Sequence, residues 1–116
     1  MGSANQSSRA YIGVGPRHCF TMAGTGAGGA GTVMALDTYL GGGVTATFTG
    51  SGTYTIEHGL GNSACAAFFQ TEYADGCVVN ISERGITNIQ IEIENAVDGS
   101  RVNPSFIHGT IHDGGG

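Results

Sequence analysis

The chain has 116 residues, of which 11% are charged; none is Lys, and the formal net charge is −5. That length suits one domain with a modest core, and four arginines in an acidic balance do not make the basic stripe that nucleic acid binding requires. Scarce charge beside 40% hydrophobic residues points to a protein that buries part of its surface against partners.

The first ten residues, MGSANQSSRA, are polar and no apolar stretch follows, so no secretion signal is expected. No apolar run approaches the ~18 residues of a membrane span. Of the 22 glycines, 15 lie at or before Gly61, concentrated in Gly24–Gly31 (GTGAGGAG) and Gly41–Gly43. Glycine loses the most conformational freedom on ordering. Residues 1–43 therefore read as an extended, glycine-rich N-terminal arm, either flexible or ordered by lying against something else. Between the two patches, Thr32–Leu40 (TVMALDTYL) reads as a helical turn or a short strand. The charge is uneven too: residues 1–56 carry a net +1 and residues 57–116 a net −6. Partner contacts are expected in the first part and the folded core in the second.

From Val44 the hydrophobic period is two. In VTATFT, Val44, Ala46 and Phe48 share one face and three threonines the other. Gly50-Ser51-Gly52 is a hairpin turn, and TYTIEH returns with Tyr54, Ile56 and His58 inward. Ala64–Thr71 (ACAAFFQT) is apolar on both faces, which predicts a covered central strand. Tyr73–Gly76 is a turn, Cys77–Ser82 a strand, and Glu83-Arg84-Gly85 another turn. In Ile89–Glu94 (IQIEIE) the isoleucines alternate with Gln90, Glu92 and Glu94 without error. After Asp98-Gly99-Ser100, the last strand is Phe106–His112, with Ile107 and Ile111 on one face and His108 and His112 on the other. Strands of about six residues separated by such turns predict an all-β fold. The expected architecture is an antiparallel β-sandwich of about 6–8 strands over residues 44–116, preceded by the arm.

Few residues carry chemistry. Gly26–Gly31 is a literal GxGxxG, but no helix follows it and no acid lies between Asp37 and Glu57, so a dinucleotide site is not expected. A phosphate-binding P-loop needs a Lys. His108 and His112 are four apart on a strand, ~13 Å at ~3.3 Å per residue, too far to share one metal. Cys19 follows His18 directly, and strand neighbours point apart. Glu92 and Glu94 sit on the outward register. Cys19, Cys65 and Cys77 are odd in number and form no CxxC, so free thiols are expected, with a Cys65–Cys77 disulfide as the alternative. No catalytic residue, cofactor or metal site is predicted.

One pattern carries a resemblance. An alternating strand ends in His58-Gly59-Leu60-Gly61; then come Ala64–Thr71, the turn Ala74-Asp75-Gly76, the strand Val78–Ser82, the alternating Ile89–Glu94 and the closing Phe106–Ile111. Over about residues 44–112 this resembles a small β-sandwich module of tailed-bacteriophage virion proteins, often at the ends of fibres and other appendages. That family usually has Asn after the His, where this chain has Gly59. The resemblance implies a non-enzymatic structural protein of a phage-like virion, a capsid decoration or tail-fibre component. Its expected partners are other virion proteins, and it is expected to be a homo-oligomer, commonly a trimer, with no nucleic acid or membrane partner. On this reading His58 is a structural pin whose ring serves two backbone groups, Leu60 plugs the core and Gly61 takes a positive φ. The second reading is a sandwich that grips host-surface carbohydrate, with Tyr54, Tyr73 and Asp75 facing the ligand.

Overall fold

The computed structural model describes residues 16–25, 28–61 and 65–113, the first and last of these (Pro16 and Asp113) as backbone only. Nine strands follow in order: β1 (Pro16–Ala23), β2 (Thr32–Val33), β3 (Asp37–Leu40), β4 (Thr45–Gly50), β5 (Thr53–Glu57), β6 (Cys65–Glu72), β7 (Cys77–Arg84), β8 (Asn88–Asn95) and β9 (Phe106–Asp113). They form a four-stranded sheet A, order β3-β1-β9-β6, and a five-stranded sheet B, order β2-β4-β5-β8-β7, antiparallel throughout. The fold is the expected all-β antiparallel sandwich. Among the described residues there is no helix, hence none long and apolar enough to cross a membrane.

Alternation decides which side chains meet between the sheets. Sheet B contributes Ala46, Phe48, Tyr54, Ile56, Ile89, Ile91 and Ile93, and sheet A contributes Phe20, Met22, Ile107 and Ile111, all buried. The β4–β5 hairpin forms where the turn signal predicted, with Gly52 at a φ of 65°, whereas β7 runs on through Glu83 and Arg84, so the β7–β8 turn falls at residues 85–87.

Two expectations are corrected, and one open alternative is decided. The boundary at residues 43/44 does not hold, because β1, β2 and β3 are strands of the sandwich. β1 lies inside sheet A between β3 and β9, Phe20 and Met22 are core residues, and Met34 packs beside them. Residues 1–15 of the expected arm lie outside the described residues. The physical reason is the alternation His18, Phe20, Met22, which supplies a buried face that a free arm would leave in water. Thr32–Leu40, left open as turn or strand, supplies β2 and β3. The stretch predicted at Ala64–Thr71 is not a central strand: among the described residues β6 is the edge of sheet A and pairs β9 alone.

Phe20 and Gly109 are direct register partners on β1 and β9. A Cβ on Gly109 would lie 2.5 Å from the tip of the Phe20 ring, so the ring occupies the space a side chain would take. Gly109→Ala is expected to destabilise by about 1–3 kcal/mol through this clash. Because Phe20→Leu withdraws the ring tip, the double variant should recover part of the loss; denaturant unfolding of all three variants and the parent measures the coupling.

Candidate functional site

The predicted pin lies where β5 leaves sheet B. His58 is 3% exposed. Its ring accepts the backbone N–H of Leu60 at Nδ1 (3.0 Å), which puts the proton of the neutral ring on Nε2, 3.9 Å from Cys65 Sγ. Its backbone N–H and that of Gly59 both donate to the Thr87 carbonyl, 2.8 and 3.1 Å. Its own carbonyl accepts from His18 Nε2 on β1 at 3.1 Å. One residue thus touches the β7–β8 turn of sheet B, a strand of sheet A and its own loop. Leu60 packs half-buried against the core, and Gly59 and Gly61 have φ of 64° and 81°. Both values lie in the left-handed region, which Asn also visits. His18 was not singled out by sequence. Its Nδ1 is buried without a hydrogen-bond partner, and Gly41, at φ 78°, has no room for a Cβ, which would sit 2.6 Å from that nitrogen.

The predicted ligand-facing trio is not brought to one surface. Tyr54 is 0% exposed: its ring tilts against Phe48 at 5.6 Å, and its hydroxyl donates to the Gly24 carbonyl at 2.8 Å, with Asn103 Oδ1 at 3.2 Å. Its alternation with Ile56 already placed it inward, and the core outweighs any ligand role. Burial pushes the Tyr54 phenol up to about 12, with a smaller electrostatic push from Cys77. Tyr73 is half-buried on the β6–β7 connection, where its carbonyl accepts from Gly76 at 3.0 Å. Asp75 is exposed beside it and accepts from Asn95 Nδ2 at 3.2 Å. Cys19, Cys65 and Cys77 are free thiols.

The concave site is elsewhere, on the outer face of sheet A. A groove of about 270 Å³ runs across β3, β1, β9 and β6. Tyr39 on β3 (71% exposed) and Phe68 on β6 (63% exposed) line its two sides. Between them lie Thr21, His108, Thr110 and Gln70. None of the lining residues is Asp, Glu or Arg. The His108 ring is held at both nitrogens: Nε2 meets Glu72 Oε2 at 2.6 Å, and Nδ1 meets Thr21 Oγ1 at 2.9 Å. Since the carboxylate only accepts, Nε2 carries the proton and the Thr21 hydroxyl donates to Nδ1 in the neutral ring. An acid, an imidazole and a hydroxyl in sequence are the parts of a nucleophilic relay. Acyl transfer also needs N–H donors for the developing oxyanion, and in mid-sheet those N–H groups are committed to the β1–β9–β6 ladder. The arrangement reads as a cross-strand tie that fixes the groove floor. His112 stacks edge-on against Phe68, with ring centres 5.7 Å apart. Among the described residues no three His, Cys, Asp or Glu side chains group to hold a metal. Comparisons of this chain with protein-family models, curated proteins and solved structures find no match.

His58→Ala is expected to lower stability by about 1–3 kcal/mol, because the Leu60 N–H loses a buried acceptor; an unchanged melting temperature would refute the pin. A second outcome follows from Tyr54. Its folded pKa lies above its ordinary 10.0, so the protonated phenol is favoured by the fold. That contribution is complete below pH 10 and is lost as pH rises toward about 12. Stability measured across that range should fall, and Tyr54→Phe should flatten the fall while costing about 1 kcal/mol at neutral pH for the lost hydrogen bonds.

Proposed function

We propose that the protein is a non-enzymatic structural subunit of a phage-like virion, of the decoration or tail-fibre type, which acts by assembling with copies of itself and with other virion proteins. The observation that carries this reading is the edge of β6, which pairs no second strand among the described residues. Strand edges are usually blunted by Lys, Pro or bulges. β6 has none of these: its register with β9 runs unbroken from Cys65 to Glu72, and Ala66-Ala67-Phe68-Phe69 is uncharged. Arg84 Nη1 donates to the Cys65 carbonyl from outside sheet A at 3.3 Å. By alternation the N–H and C=O groups of Ala67, Phe69 and Thr71 then also face away from β9. The other long edge, β7, is interrupted by a bulge at Ile81/Glu83 and carries Glu83 and Arg84.

A second copy adds its own strand at this edge. An uncharged edge of one sequence is self-complementary across a two-fold axis, and the same edge in a ring contacts a different strand of its neighbour. Light scattering of the full chain is expected to give a mass above that of one chain. Ala67→Pro removes an outward N–H without breaking the β9 ladder, so it should give a folded species of lower mass. A monomeric parent, or an Ala67→Pro variant with parental mass, overturns the reading. The informative N-terminal truncation removes residues 1–15 only, since a longer one deletes β1 and part of the core.

A further inference from the structure

We infer that the groove between Tyr39 and Phe68 is a binding site for a short neutral saccharide. Nothing in the local sequence marks it, because its walls come from β3 and β6 and its floor from β1 and β9. Three properties select the occupant.

The first is charge. A lining without Asp, Glu or Arg cannot compensate an ionised group taken out of water, so the ligand is uncharged. The second is the pair of aromatic walls. Tyr39 and Phe68 are two of the most exposed large hydrophobic side chains among the described residues, and they stand on the two edge strands of one sheet. A pyranose ring presents an apolar patch of C–H bonds on its face and hydroxyls around its rim. Aromatic walls suit the face, and polar groups at the floor suit the rim.

The third property is which polar groups are open. His108 is occupied at both nitrogens, and Thr21 donates to it. The Gln70 amide, the Thr110 hydroxyl and the Tyr39 hydroxyl make no side-chain hydrogen bond within the described residues. An amide offers a donor and an acceptor side by side, which is the spacing of two vicinal hydroxyls. The floor's backbone is consumed by the ladder, so an extended peptide would find no main-chain partners there, whereas a saccharide needs only side chains. A volume near 270 Å³ lies just below the roughly 300–1,000 Å³ of drug-sized ligand sites, which suits one or two sugar rings. The β6 edge points away from the groove, so sugar binding and strand addition use different surfaces.

The probe is a printed array of short neutral oligosaccharides, with sialylated and sulfated ones alongside, applied to the full chain. Any neutral hit is then quantified by calorimetry. The expected result is retention of a neutral oligosaccharide. Tyr39→Ala and Phe68→Ala should each weaken it about tenfold or more, and Gln70→Ala should weaken it several-fold. All three side chains are exposed, so the variants should keep the parental melting temperature and native mass. Three outcomes overturn the site. Retention only of charged sugars contradicts the neutral lining. Binding that survives the Tyr39→Ala/Phe68→Ala double variant lies elsewhere. A loss of native mass in those variants means that a second copy covers this face. None of these outcomes depends on Ala67→Pro, so failure here is distinct from failure of the assembly reading.

Discussion

The sandwich depends on Phe20 lying over Gly109. Among the described residues β3 pairs only β1 in sheet A, and β1 is joined to the rest of the sheet only through β9. The two strands therefore meet where a large aromatic on one needs an empty position on the other. Phe20 covers the backbone that Gly109 exposes, and it fills core volume that β9 could not fill at that position. Without the β1–β9 ladder sheet A would be two narrow ribbons, neither of which could cover the isoleucine face of β8. The inter-sheet ties follow from the same placement. Only with β1 in the sheet can His18 reach the His58 carbonyl and Gly24 present its carbonyl to Tyr54.

Much of this was legible where strand partners are near in sequence. The β4–β5 hairpin and the Ile89–Glu94 strand could be read because period two and a turn residue are local signals. β1 carried the same signal in His18, Phe20 and Met22. It was masked by glycine patches on either side, whose entropy cost argued for an arm. What decided the matter was a partner some ninety positions away, which alternation cannot see. β6 misled in the opposite way. Apolar residues on both faces say that both are covered, without saying by what; here Phe68 faces the groove while Ala67 and Phe69 face the core. Among site residues, the His58 loop was visible because it is contiguous. The groove was not, since Tyr39, Thr21, Phe68 and His108 come from four strands.

The two outer faces divide the surface by charge. Sheet B turns Glu92 and Glu94 outward, with Arg101 bridging both at 3.0 and 3.6 Å, among the threonines of β4 and β5. Exposed pairs of this kind contribute little to stability but keep that face wetted. Sheet A places three aromatics, Tyr39, Phe68 and Phe106, on its outer side, and the Glu72 carboxylate there is hydrogen-bonded to His108. Low charge in the composition is thus confined to one face and one edge, leaving the other face free for solvent.

The place of β1 also sets an order of events during synthesis. It is the first described strand to leave the ribosome, and its partner β9 is the last. At roughly 5–20 residues per second, about ninety residues of chain take some 5–20 s to appear. Through that interval sheet B can pair its hairpins, whereas Phe20 and Met22 have only the short β3 to lean on. Sheet A therefore closes only once β9 has appeared, in one late step that joins β1 to β9, and until then its apolar strands are open to chaperones and to other nascent copies.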